Sequence, residues 1–420
     1  MCRTRRSLVV LALVPLLALV LASCHQRTGT TATELTSGRA LAEQGSVEPE
    51  PASLDTYDFS LDLLRACATE EPDENTLLSP LSVLYALSMV ENGASGETLA
   101  QIEAATGMSA DALSSALQSH AARAADGGSQ LSLANSVWLR DSDGLRVSDD
   151  YLDACATSLG AQAYAAPFDE TTADDINGWV SNHTHDMIPS IVEDIPDEAQ
   201  LYLVNALAFE APWQDPYNPA FTEPDTFTCE DGTTQDVDMM LSMERSYLEG
   251  EQATGFVRPY EGYEYGFVGL LPNEGVTVSD LLASLDGTSL QALLEPRPNT
   301  VADVGLPRFT VTYGNELSEE LASLGVTDVF DQERADLTRM GTSDNGPLYA
   351  SAVLHKTFID VNEEGTSAAA TTVVEVGEGS SGPAAPPEVK EVILDRPFVY
   401  LIVDYATMTP VFIGTVMSVE

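Results

Sequence analysis

Apolar positions recur from Tyr57 to Val419, and their spacing changes along the chain. Early on, the period is helical. A helix is predicted over Leu77 to Glu91, where Pro80 suits a first turn, Leu84, Leu87 and Met89 lie near helical spacing, and "NGASG" stops the run. "ETLAQIEAATG" reads as a second helix ended by Gly107, followed by helices at Asp111 to Ala125 and Asp149 to Leu159. Between them, Ser129 to Leu139 alternates as a strand does. Asp174 to Val192 is predicted helical and Ala199 to Phe209 a buried strand. Later the chain turns strand-rich. "DTFTC" and "QDVDMML" flank the turn "EDGTT", "YGFVGLLP" is short and apolar, and "ADVGLPRFTVTY" follows. Helices intervene at Thr277 to Leu285 and at Glu316 to Leu324, the latter stopped by Gly325. The closing stretch "RPFVYLIVDYATMTPVFIGTVMSV" has the continuous apolar character of a hairpin buried on both faces. Helices early and strands late make an α+β fold, and no period of about 20 to 50 residues points to a repeat array.

One stretch breaks this pattern. Asn362 to Val376, "NEEGTSAAATTVVEV", has strand alternation, yet nearly all its side chains after Gly365 are small or β-branched. Thr366, Ala368, Ala370, Thr372 and Val374 fall on one face, and Ser367, Ala369, Thr371 and Val373 on the other. The next residues, "GEGSSGPAAPP", can only be loop. A strand with a small inward row slips between two existing strands without prying apart the helices beneath. No charge or proline occupies that row, and Gly365 offers backbone freedom where the loop meets the sheet.

Composition adds the setting. The chain has 420 residues, 44% hydrophobic, enough for one large domain or two ordinary ones. Arg3, Arg5 and Arg6 precede the uncharged apolar run Leu8 to Ala22, which reads as an export signal. It ends in "LASC", which resembles the lipobox of bacterial lipoproteins and implies that Cys24 becomes the first mature residue and carries the lipid; an ordinary secretory signal with a coincidental cysteine is the alternative. About two or three acyl chains hold a protein on a membrane stably. Residues 25 to about 53 are rich in Thr, Ser, Gly, Glu and Pro and read as a solvated tether.

The formal charge is −48, and losing three arginines with the signal makes it −51. Lys356 and Lys390 are the two lysines. Such a surface repels nucleic acid and anionic head groups; it reads first as a source of solubility, with attraction to cationic partners, which include many secreted proteases, as the alternative. Cys67, Cys155 and Cys229 remain after the leader, an odd number without metal-type spacing, so one disulfide is possible but no framework. Each reads better as a small apolar core residue than as a nucleophile.

Catalytic patterns are missing. HExxH, GxSxG and P-loop motifs do not occur, and the five histidines are His25, His120, His183, His185 and His355. The rings of His183 and His185 diverge on a helix, and His355 reads as a buried structural residue on one face of the strand "ASAVLHKTFIDV". No enzyme activity, metal or cofactor is expected.

Taken in order, the motifs resemble one family closely, the serpins, from about Asp55 to Glu420. "NTLLSPLSVLYALSMVENGASGETLAQI" carries Asn75, Ser79, Pro80, Ser82, Gly93, Ala94, Gly96 and Thr98 in the places of the family's first long motif. "LANSVWL", "INGWVSNHTHDMI" and "LVNALAFEAPW" match the next three through Asn135, Asn177, Trp179, Thr184, Ile188, Asn205, Phe209 and Trp213. "LPRF", "LGVTDVFDQERADLTRM", "HKTFIDVNEEGTSAAATT" and "RPFVYLIVDYATMTPVFIGTV" complete the series. The resemblance implies three β-sheets, about eight or nine helices and a reactive-centre loop at about 363–390, within a domain spanning 55–420. Residues 1–23 are then the signal, and 24–54 the lipidated cysteine and a disordered tether.

By the same resemblance the chain inhibits serine proteases as a suicide substrate, with cysteine proteases as a second class of partner and a monomer as its form. A protease cuts the loop and stays attached as the acyl-enzyme, and the loop then inserts as a strand. Seventeen residues, Glu363 to Gly379, span roughly 55 Å at about 3.3 Å each and carry the protease to the far pole. Serpins that inhibit usually cleave at that distance, which gives Gly379–Ser380, with Glu378 or the following "SSGPA" as alternatives. Small residues at the tip imply an elastase- or subtilisin-like target, or a glutamate-specific one if Glu378 precedes the bond; a trypsin-like target is disfavoured. Ser79, Ser82, Asn205 and His355 correspond to the family's polar cluster under the large sheet, Trp213 to the point where insertion begins, and Glu363 with Arg308 to an ion pair at the loop's base. A serpin fold that only binds, or is merely cut, is the alternative. The outer face of a bacterial envelope is the expected location, and His25 after Cys24 favours outward display; secretion and the periplasm are alternatives.

Overall fold

The computed structural model describes residues 30–40, 56–70, 72–126, 131–366 and 386–419. The signal 1–23, Cys24, the inserting-face residues Ala368, Ala370 and Thr372, and the scissile candidates Glu378, Gly379 and Ser380 lie outside them. Among the described residues there are nine α-helices and three principal sheets of eight, six and four strands, with a two-stranded ribbon besides. The α+β architecture is therefore the one expected.

The large sheet runs from the edge strand Thr33–Glu34 through Gln162–Ala166, Leu131–Arg140 and Leu201–Phe209 to Ala352–Val361, which Phe309–Glu316 flanks. Helix Pro80–Gly93 packs against it. Apolar residues ring this helix all round, and nearly every position is buried, as a helix threaded between layers requires. Ser79 caps it, accepting from Ser82 N, and Pro80 sits where its missing N–H costs nothing. The six-stranded sheet closes the other side of the core. Its strands Tyr265–Pro272, Phe398–Asp404 and Pro410–Val416 are buried at every position, which explains their unbroken apolar sequences. The four-stranded sheet joins Glu388–Ile393, Thr300–Pro307, Thr234–Glu244 and Thr222–Thr228.

Three expectations need correction. Leu77 and Leu78 are not helical: Thr76–Leu78 pairs with Pro410–Val416, and the helix starts only at Pro80. The helix expected to reach Val192 ends at His183. Beyond it His185 and Asp186 take positive φ, and Asn177 accepts from the N–H groups of Ile191 and Val192 while donating to Val192 O. A looped segment therefore returns Ile188 and Val192 to the helix's apolar face and imitates a helical period. Within the stretch expected as a tether, residues 31–39 are docked: Thr33–Glu34 pairs with Gln162–Ala166, Thr31 N and Oγ1 donate to Asp175 at 2.7 Å, and Arg39 binds Asp149 at 2.6 Å. On the pairing that the sequence leaves open, Cys67, Cys155 and Cys229 are free thiols. Burial pushes the Cys67 and Cys155 thiols up to about 12, so neither is a thiolate nucleophile.

Candidate functional site at the seam of the large sheet

Leu201–Phe209 and Ala352–Val361 run parallel at the middle of the sheet, with Tyr202 opposite Ala352 and Ala208 opposite Phe358. Parallel pairing is slightly weaker per residue, and these neighbours could accept a strand running antiparallel to both. At the upper end such a strand has already begun. Gly365–Thr366 pairs antiparallel with Ala352–Val361 through Val361, and antiparallel with Ala211–Pro212, which continues the chain of the other seam strand. Thr366 is fully buried, and its Oγ1 lies 2.6 Å from Tyr260 Oη.

Gly365 serves this arrangement differently from the expectation. Its φ is not positive; its need is for space, because a Cβ there would stand 2.1 Å from Ala211 O and 2.6 Å from Pro212 Cα. Only glycine admits the backbone this close.

The loop's root is held from several directions. Trp213, 1% exposed, stacks on Tyr260 at 4.5 Å between centroids. Trp213 N donates to Glu364 O at 2.9 Å, Trp213 Nε1 to Asn362 O at 2.8 Å, and Tyr217 N to Glu363 O at 2.9 Å. Arg308 grips the Glu363 carboxylate with two nitrogens, Nε at 2.8 Å and Nη2, and Thr222 Oγ1 adds a third bond at 2.7 Å. Burial opposes ionisation of Glu363, but the hydrogen bonds from Arg308 and Thr222 outweigh it and hold the carboxyl below its usual range. The structure thus brings Trp213, Arg308, Glu363, Gly365 and Thr366 together.

Below, Ser79, Ser82 and His355 meet where the helix passes under the seam. Ser79 N donates to His355 Nε2 at 3.2 Å, so Nδ1 carries the ring proton and faces Ser82 Oγ at 3.5 Å. Ser79 Oγ donates to Val411 O at 2.8 Å. Burial lowers the His355 imidazole to about 4, and the ring is neutral at physiological pH. Asn205 stands opposite His355 in register, but its side chain turns the other way and donates to Asn135 Oδ1. It joins the cluster through the backbone ladder, not through a side-chain bond to the ring.

Sequence reasoning missed Tyr217, Tyr260 and Thr222. Tyr260 follows Pro259 in "RPYEGY", an aromatic at a strand end, and that was the available signal. The other histidine pair does not converge. His183 Nδ1 donates to Trp179 O at 2.7 Å, while His185 Nδ1 lies 3.5 Å from Ser132 Oγ. Among the described residues no group of three or more His, Cys, Asp or Glu could hold a metal ion, and no helix is long and apolar enough to cross a membrane.

Comparison with known proteins agrees with this geometry. The family model for serpin (serine protease inhibitor) matches residues 55–419. Neuroserpin from Gallus gallus is 32% identical over 387 residues, covering 86% of this chain and 90% of its own. The leukocyte elastase inhibitor of Equus caballus is 30% identical, covering 86% and 97%. A crystal structure of the thermophilic serpin tengpin in its native state superposes with a TM-score of 0.84 at 37% identity, over 93% of this chain and all of that one. With its ordered motifs, its sheets and a loop root that enters the top of the seam, the chain belongs to the serpin family.

Proposed function

We propose that this serpin inhibits serine proteases by a single irreversible trap. The protease's serine oxygen adds to the carbonyl at a bond in the loop, the peptide C–N bond breaks, and the amine leaves on the C-terminal fragment. The N-terminal part stays as an ester on the enzyme. The freed loop then continues from Thr366 down the seam, antiparallel to both neighbours, and carries the protease with it. One observation supports this most: Gly365 and Thr366 already sit between the seam strands in that orientation. Thr366 also begins a row of small residues that continues through Ala368, Ala370 and Thr372.

The bond we assign is Gly379–Ser380, by distance from Glu363, with Glu378 as the alternative preceding residue. Small residues there suit a shallow-pocketed elastase- or subtilisin-like protease, and the name of the equine relative points the same way. Cys24 as a lipid anchor would display the inhibitor on the outer face of a bacterial cell.

The test is to incubate the purified chain with an elastase and a subtilisin and run the products under denaturing conditions. A covalent complex resistant to SDS is expected, together with release of a C-terminal fragment whose mass fixes the bond. Clean cleavage with no complex overturns the reading. Thr366→Arg places a charge against buried Tyr260, and leaving it unpaired there is costly. Insertion should stall, with complex yield down by roughly tenfold or more while cleavage continues.

A further inference from the structure

Two charged side chains are buried directly behind the loop's root, and nothing above uses them. Arg258 is 5% exposed and Glu244 6%. Both interrupt apolar stretches, "GFVRPY" and "DMMLSMERSY". Arg258 Nη1 pairs with Glu244 Oε1, and Ser242 Oγ donates to the same carboxylate oxygen at 2.7 Å. Arg258 Nη2 donates to Asp215 O. The guanidinium carbon lies 3.8 Å from the centroid of Tyr217 and 5.1 Å from that of Trp213.

Those two rings belong to the residues whose N–H groups bind Glu363 O and Glu364 O. One cation therefore joins the strand Thr234–Glu244, the Asp215 carbonyl and both aromatic residues that grip the root. Stability alone does not account for it, because an apolar pair of similar volume is often as stable as a buried ion pair or more so. A buried pair does fix geometry. The planar guanidinium stacks on aromatic faces and bonds in its own plane at the same time, which neither lysine nor an aliphatic side chain does.

We propose that Arg258, oriented by Glu244, is a positioning residue that clamps Trp213 and Tyr217 onto the loop's root and so sets how fast the rest of the loop follows that root into the seam. The proposal rests on the trapping function above. A loosened clamp lets residues 362–364 turn sooner, and the uncut chain then swallows its own loop without meeting a protease.

The decisive variant is the double replacement Glu244→Met with Arg258→Met, which keeps the volume and removes both charges; Arg258→Lys is made beside it. Two quantities are measured: the half-life of the uncut form held warm without protease, read as loss of complex-forming capacity, and the unfolding midpoint of the loop-cleaved form. A positioning role predicts a half-life shortened about tenfold in the double variant, a smaller shortening in Arg258→Lys, and a cleaved-form midpoint close to wild type. A half-life equal to or longer than wild type overturns the proposal. So does a loss shared equally by the uncut and cleaved forms, which marks ordinary packing. If the wild-type chain itself never forms complexes, the trapping function fails first, and that result is separate from either outcome in the variants.

Discussion

At the scale of single residues, His355 has the most consequential chemistry. Its ring fills a buried slot between the helix and the seam, accepting one hydrogen bond and facing a hydroxyl with its own N–H. Protonation would put a second N–H where Ser79 N already points and would leave a charge without a counter-ion. Burial accordingly depresses the ring to about 4, against an ordinary value of about 6.5. The sign follows from linkage. Between those values the unfolded chain binds the proton and the folded chain does not, so stability rises with pH across that window. The contribution is complete above about pH 6.5, shrinks as pH falls, and is gone below about pH 4, with a span on the order of 3 kcal/mol. Urea midpoints of the uncut form should therefore fall from pH 7 to pH 4 more steeply in wild type than in His355→Gln, which has no proton to gain. Equal slopes would show that the ring is not the titrating group.

Among elements, the two-residue strand Gly365–Thr366 shows how much depends on a close approach. A Cβ at position 365 would strike the Ala211 carbonyl, and that neighbour is backbone, which cannot swing aside. Gly365→Ala should drive the root out of the seam, exposing Thr366 to solvent. The expected readouts are faster amide exchange at Thr366 and a midpoint for the uncut form lower by a few degrees, since a displaced strand end costs about 1–2 kcal/mol. Unchanged exchange would mean that the sheet yields at Pro212 instead. Elements with a continuous or strict period were legible in the sequence: the buried hairpin Phe398–Asp404 with Pro410–Val416, the helix ended by Gly107, and the strand carrying His355. Those misread had their period completed by another segment. Leu77 and Leu78 extend the helical spacing of the next helix but pair in a sheet, and Ile188 with Val192 do so from a loop pinned by Asn177. The site itself was legible only in part. Glu363 and Arg308 could be matched through family motifs, although 55 residues separate them. Arg258 and Glu244 belong to no motif quoted, and a charge inside an apolar strand tells nothing of its partner until the sheets bring the two together.

For the molecule as a whole, the proposed trap raises the question of why a protein would fold with its largest sheet able to take one more strand. The parallel seam joins residues 352–358 to 202–208, a ladder of roughly seven hydrogen bonds. Residues 366–376, laid between those strands, would pair on both edges and form about two bonds each, roughly twenty in all. At about 0.5–1 kcal/mol net per bond, the exchange favours insertion by on the order of 10 kcal/mol, as much as the whole stability of an ordinary domain. On the proposed trapping mechanism, the uncut chain is kept from that state because a loop tied at both ends, at Thr366 and at Glu388–Ile393, cannot lie down in the seam without freeing one of them, and its persistence is then kinetic. Cutting the loop removes one tie and leaves every other covalent bond in place. The nicked chain should therefore unfold about 20 °C or more above the intact one, from the usual 2–4 °C per kcal/mol for domains of some size. Scanning calorimetry of the two forms in one buffer measures this directly. Coincident transitions would show that the segment stays outside the sheet after cleavage, and a loop that stays outside cannot drag an attached protease anywhere.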